Sequence, residues 1–287
     1  MTSNVPIQQA ALLQPNTGRI LATLGQPRLG PYRDFFQCTT DEQLLGAYFW
    51  GQAVSSAFQP TLGMYEVVLR NAIHKAASNR SSRNTSTSHP WYDKTRQDAL
   101  VRSGKTWSKI EEILTYGIPP LRHEPQPSPD KVVASLSFGF WPVFLDGLSK
   151  PDQARILTDA FPKHPHSTPR HWGIQSNVTL LIDTLKGIQA LRNAVSHYEP
   201  IWKRHRLKNT EKHWSNSVVS LCDKHDLILD VMAWCCPDAA DAVRYSYASR
   251  TFKSICFTDA VKAFMADPFA AGAMKLFNPQ NEVATPA

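Results

Sequence analysis

The chain has 287 residues, 42% of them hydrophobic, enough to bury a substantial core, and its 31 Lys and Arg against 24 Asp and Glu leave a net charge of +7, a modest excess that suits a polyanionic partner such as nucleic acid. No run of about eighteen apolar residues exists to span a membrane, and the opening M-T-S-N-V-P-I-Q-Q-A lacks the charged and apolar regions of a signal peptide, so a cytoplasmic protein without membrane contact is expected. Nothing matches G-x-S-x-G, a Walker loop, H-E-x-x-H or a Gly-rich dinucleotide turn, which removes the conventional hydrolases and nucleotide-fold enzymes.

The ends, residues 1–35 and 271–287, read as flexible tails: the first carries Pro6, Pro15, Pro27 and Pro31 among glycines, and the last ten residues, Asn278–Ala287, are small and polar. Between them, residues 36–270 read as one domain. Apolar positions recur at helical spacing with no sustained alternation, so the fold class is nearly all α. In chain order, a first helix is predicted from Asp41 to Phe58, opened by acidic residues and stopped by Pro60, and a second from Leu62 to Ala77. Ser78–Pro90 is a polar, low-complexity stretch expected to be a mobile loop.

A helix is then predicted over Asp93–Tyr116, followed by a proline-rich link from Pro119 to Pro129. Lys131–Leu145, the most apolar piece, is assigned as helix because its neighbours are helical. Further helices are predicted at Asp152–Phe161, Trp172–His197, Glu211–Cys236, Asp238–Ser249 and Thr258–Met265, with Pro200 ending the long one near His197. The five cysteines include no C-x-x-C pair, which fits reduced structural thiols, with no zinc site and no cofactor expected.

One constellation points to chemistry. In L-K-G-I-Q-A-L-R-N-A-V-S-H-Y-E-P-I-W, Arg192 and the polar Asn193 precede His197. Spacing alone is weak: roughly two arginine–histidine pairs with four to six intervening residues are expected by chance, and Arg83/His89 and Arg206/His213 also qualify. Arg83/His89 lies in the Ser/Thr loop, where nothing is expected to hold the pair, and Arg206/His213 has no helix to present it. Only Arg192/His197 ends a long amphipathic helix backed by Leu185, Ile188, Leu191 and Val195. A guanidinium suits phosphate oxygens, and an imidazole titrates near neutrality and is able to take the proton of a ribose 2′-hydroxyl. That pairing points to metal-free cleavage of RNA. On the residues alone the favoured reading is a helix-end arginine and a surface histidine stabilised by the helix dipole.

Three blocks carry a family resemblance: L-R-N-A-V-S-H-Y-E-P-I-W, M-Y-E-V-V-L-R-N-A-I (Met64–Ile73) and V-V-A-S-L-S-F-G-F-W (Val132–Trp141). Together they resemble the Abi-like (abortive infection) family of HEPN ribonucleases, over about Asp41–Phe264. The resemblance implies an all-α HEPN-type helical bundle with additional N-terminal and C-terminal helices, and a metal-independent endoribonuclease acting in bacterial phage defence or as a toxin.

On matching positions it implies Arg192 and His197 as the catalytic pair, with Asn193, Tyr198 and Glu199 in support, although Tyr198 departs from a second histidine often found there. Glu66, Arg70 and Asn71 of the first block either line the groove opposite Arg192 or, for Glu66 and Arg70 four positions apart, form an ordinary ion pair, the reading slightly favoured. His74 reads as structural. The segment Trp202, Lys203, Arg204, Arg206 and Lys208 is expected either to track an RNA backbone, with Trp202 as a stacking platform, or to be a solvated loop. The family also implies a homodimer, and an antitoxin or small non-coding RNA as a further partner. The competing reading is a non-catalytic RNA-binding or regulatory helical module.

Overall fold

The structure, a computed structural model, describes residues 15–101, 104–117, 120–203 and 213–269. It is almost wholly helical: α1 (Thr17–Leu24), α2 (Gln26–Phe36), α3 (Asp41–Ser81), α4 (Gly104–Leu114), α5 (Pro129–Ser135), α6 (Phe140–Asp146), α7 (Lys150–Ala160), α8 (Pro169–Trp172), α9 (Gln175–Ser196), α10 (Trp214–Cys235), α11 (Pro237–Arg244), α12 (Tyr247–Ile255) and α13 (Thr258–Ala266). Two short antiparallel strands, β1 (Thr115–Tyr116) and β2 (Leu121–Arg122), pair Thr115 with Arg122. No helix among the described residues is long and apolar enough to cross a membrane.

The two helices predicted on either side of Pro60 are one. α3 runs 41 residues, about 60 Å at 1.5 Å per residue. Thr40 caps it by accepting from the Gln43 N–H at 3.2 Å, and the Gln43 side chain reaches back to the Thr39 N–H at 2.8 Å. Asp41 and Glu42 stand at its positive end. Pro60 removes one N–H, a penalty of about 3 kcal/mol in a helix interior. Val54, Ala57 and Phe58 before it and Thr61, Leu62 and Tyr65 after it are all buried, so breaking the helix there would pull one half off the core. Packing therefore overrides the local signal.

α3 is the spine of the molecule, in contact with α1, α2, α5, α7, α9, α10, α11, α12 and α13. The N-terminal stretch expected to be a tail is helical from residue 17 onward: α1 and α2 lie on α3 and bury Leu21, Leu29, Tyr32 and Phe36. Pro27 sits in the first turn of α2, where a missing N–H costs nothing, while Pro31 is carried inside the helix. The expected C-terminal tail, 271–287, lies outside the described residues.

The helix predicted over Asp93–Tyr116 shrinks to α4. Trp91 and Tyr92 are buried instead in a tight turn segment, with the Leu100 N–H bonded to the Trp91 carbonyl at 2.7 Å and the Trp91 indole donating to His74 Nδ1 at 2.9 Å. His74 is thus a structural acceptor, as expected. The apolar piece 131–145 is helical but splits into α5 and α6 around Gly139.

Two local features generate measurable expectations. At Gly46 a Cβ would collide with the Phe264 carbonyl and come within 2.6 Å of Met265 Cα, so only glycine lets α3 and α13 cross this closely. Gly46→Ala should lower unfolding free energy by roughly 1–3 kcal/mol, whereas Gly63→Ala, with nothing within 4 Å of its Cβ, should raise it by roughly 0.5–1 kcal/mol through backbone entropy; urea melts of both variants check the contrast.

His225 is buried, its ring stacked on Phe252 at a centroid distance of 4.3 Å. Burial holds its imidazole below the ordinary value; Asp226 opposes that and Lys253 adds to it. A lowered folded-state pKa means the unfolded chain takes the proton first, so this contribution to stability is complete above about pH 6.5 and drains away as the pH falls through the lower folded value. His225→Phe should accordingly lose less stability than wild type between about pH 7 and pH 5 in denaturant titrations.

Candidate active site

Arg192 and His197 are presented by the C-terminal end of α9, whose Leu181, Leu185, Ile188, Leu191 and Val195 are buried. The helix stops at the position expected, and the stop is a Schellman motif: the Glu199 N–H bonds to the Ala194 carbonyl at 2.8 Å and the Tyr198 N–H to the Val195 carbonyl at 3.2 Å. His197 is the C-cap, its N–H on the Asn193 carbonyl at 2.9 Å. Tyr198 takes the left-handed position, φ 57°, where glycine or asparagine is usual and a side chain costs about 1–2 kcal/mol.

The surroundings hold that turn in place. Arg28 of α2 donates to the Tyr198 carbonyl and lies over the Tyr48 ring at 5.9 Å. Beyond Pro200, Ile201 and Trp202 are buried. Tyr198 therefore contributes its backbone, while its side chain is exposed. Glu199 likewise contributes an N–H, and its carboxylate is exposed with no hydrogen bond to His197 among the described residues.

Arg192 is positioned by Glu66. Its Nε lies 3.4 Å from Glu66 Oε2, with the two side chains 39% and 20% exposed. Such a half-exposed pair is worth only about 0–1 kcal/mol in stability; its effect is to point one edge of the guanidinium at α3. This corrects the Glu66–Arg70 ion pair favoured from spacing: the carboxylate turns to α9 instead. Among the described residues Arg70 Nε is buried without a hydrogen-bond partner, and Asn71 is exposed.

The third block meets the first block and α9. Phe138 packs on Tyr65 with ring centroids 5.7 Å apart, and Gly139 leaves room for the Gln189 side chain of α9, whose Nε2 would stand 2.6 Å from any Cβ there. The first block therefore touches both others, Glu66 meeting Arg192 and Tyr65 meeting Phe138, while Gly139 meets α9 at Gln189, three positions before Arg192. Asn193 is half-buried and His197 exposed. Ideal helix geometry separates Arg192 and His197 by about 140° and about 7.5 Å along the axis.

Trp202 is not a stacking platform. Only 2% exposed, it stacks on Phe35 at 4.6 Å and meets Tyr32 and Phe36 edge-on at 4.8 and 5.0 Å, so it anchors the segment after α9 to α2. Lys203 is exposed on the wall of a groove of about 640 Å³ shared with Pro27, Pro31 and Asp34. Arg204, Arg206 and Lys208 lie outside the described residues.

The Ser/Thr loop is better built than its sequence suggests. The Ser78 hydroxyl accepts from the His89 N–H at 3.0 Å, the Ser82 hydroxyl from the Ser86 N–H at 3.0 Å, and His89 Nε2 lies 2.8 Å from Asp98 Oδ2. Arg83 and His89, expected to lack support, line one polar cavity of about 790 Å³. The described cavities that Arg83 lines do not include Arg192 or His197. Among the described residues no group of three or more His, Cys, Asp or Glu is placed to hold a metal ion. Cys38 and Cys256 are buried, Cys222, Cys235 and Cys236 half-buried, and all are free thiols.

Comparison with known proteins yields no matching family model, no matching curated relative and no matching solved structure.

The burial of Trp202 has a direct consequence. Trp202→Ala should cost about 3–5 kcal/mol by denaturant unfolding, while Lys203→Ala should stay within about 0.5 kcal/mol; a loss under 1 kcal/mol for the tryptophan would return it to the role of a surface platform.

Proposed function

We propose that this protein is a metal-independent endoribonuclease of HEPN type, similar to the Abi-like family and acting in phage defence or toxin-like growth arrest. The observation that supports the reading most is that the first resembling block touches both others: Glu66 lies 3.4 Å from Arg192, and the adjacent Tyr65 packs on Phe138, beside Gly139 and Gln189 of α9.

In this reading His197, exposed on a braced turn, takes the proton of a ribose 2′-hydroxyl. The 2′-oxygen attacks the adjacent phosphorus, the bond to the 5′-oxygen breaks, and that oxygen takes a proton from solvent. A 2′,3′-cyclic phosphate and a 5′-hydroxyl result. Arg192, held at its Nε edge by Glu66, offers its terminal nitrogens to the phosphoryl oxygens as their charge builds. DNA lacks the nucleophile. A homodimer is part of the proposal, because two copies bring two Arg/His sets to one cleft, as is restraint by an antitoxin or small non-coding RNA.

A second reading, a non-catalytic RNA-binding module, draws on the wide angle between Arg192 and His197 and on the cavity at Arg83 and His89. Labelled RNA incubated with the full chain in EDTA separates these readings. Cleavage to cyclic-phosphate ends should fall by roughly a hundredfold or more in His197→Ala, the scale of a lost general base, and drop in Arg192→Ala; Glu66→Gln should slow it less. Loss in His89→Ala with His197→Ala unaffected would move the centre to the Ser/Thr loop. Binding without turnover in every variant would favour the module, and strict dependence on Mg²⁺ would refute the mechanism.

A further inference from the structure

We infer that the cavity between the C-terminal end of α3 and the start of α7 is a binding site for a phosphate dianion carried on a small organic group, that is, a phosphomonoester. The inference does not rest on the ribonuclease reading. The cavity, about 380 Å³, is lined by Arg80, Arg83 and Arg155 together with Asn79, Asn84 and Asp159.

Two of the three guanidiniums are held from behind. Arg80 Nε donates to Asp152 Oδ1 at 2.6 Å, and Asp152 is itself fixed by the Ser149 hydroxyl on its other oxygen at 2.6 Å. Arg155 Nε lies 3.3 Å from Asp159 Oδ2 one turn along α7. In both cases the carboxylate stands at the Nε edge.

Arg83 has no carboxylate partner among the described residues and leaves a fixed backbone. Arg83 and Asn84 are both left-handed, φ 56° and 66°, and are tied down by the Asn84 N–H on the Asn79 carbonyl at 2.7 Å and the Ser82 N–H on the Ser78 carbonyl at 2.8 Å. Consecutive left-handed non-glycine residues persist only where the surroundings over-determine them.

Three guanidiniums against two carboxylates leave an excess of positive charge in one concavity, and gathering like charges is unfavourable unless an anion is shared. The chemistry selects that anion. Guanidinium forks bind phosphate oxygens in bidentate fashion, and three forks need more oxygens than the two of a carboxylate. The volume equals the liquid share of roughly a dozen waters, more than a bare phosphoryl group fills, so a substituent of sugar size is accommodated. Asn79 and Asn84 offer amide donors and acceptors to its hydroxyls.

The test titrates the full-length protein calorimetrically with adenosine 5′-monophosphate, inorganic phosphate and adenosine at low and high salt. The first two should bind, adenosine should not, and affinity should fall with salt. Arg83→Gln and Arg155→Gln should each weaken the monophosphate by roughly tenfold or more, the scale of one charge-assisted contact, with circular-dichroism melts confirming that both variants fold. Lys75→Gln, exposed on α3 and not among the residues lining the cavity, should change affinity little.

Competition by an RNA oligomer with a 5′-phosphate, but not by its 5′-hydroxyl counterpart, would assign the ligand to an RNA end; superiority of the mononucleotide would assign it to a free metabolite. No phosphate binding at millimolar concentration, equal affinity in both arginine variants, or an equal loss in Lys75→Gln would overturn the proposal.

Discussion

Keeping residues 41–81 in one continuous helix is the constraint on which the rest of the structure depends. α3 carries twenty buried positions, and at least six other helices complete their own apolar faces against it. Its N-terminal half receives α13 at Gly46 and α2 at Gly51, where the Tyr32 hydroxyl would stand 2.8 Å from a Cβ. Its middle supplies Glu66 to α9, and its C-terminal end supplies Arg80 to α7. A helix broken at Pro60 would sever the first of these regions from the other two.

That continuity also explains how distant sequence becomes one site. α9 is placed by its buried stripe, but the direction of Arg192 comes from α3, and the turn that exposes His197 is held by Arg28 of α2 and anchored by Trp202 in the α2 aromatic cluster. The N-terminal helices are therefore not an appendage. They fix the backbone that follows the candidate base, and the left-handed Tyr198 is tolerated because both sides of it are secured.

Arginine is used in two distinct ways along the spine. At Arg192 a single carboxylate orients a half-exposed guanidinium. At the far end, Arg80 and Arg155 are each held at Nε by an aspartate while Arg83 stands on strained backbone without such a partner among the described residues. Arg80 follows Glu66 by fourteen positions, about 21 Å along an ideal helix, so the two regions are separate in space although one helix joins them.

Sequence alone determined that the chain is helical, where α7, α9, α10 and α13 lie to within a few residues, and that α9 ends at His197, because 3.6-residue periodicity and Pro200 are local signals. It also singled out the three blocks that prove to be neighbours. Tertiary packing decided what local rules cannot express. Pro60 sits inside a helix because burial on both sides outweighs one lost hydrogen bond, and the proline-bearing N-terminal stretch folds because α3 offers it a surface. Trp202 turns inward because aromatic area gains more from Tyr32, Phe35 and Phe36 than from solvent. Glu66 chooses Arg192 over Arg70, and the Ser/Thr loop is braced by hydroxyls whose partners are fixed only once the chain has closed on itself. Partner choice among polar groups depends on which elements meet, and that is a property of the fold rather than of any window of sequence.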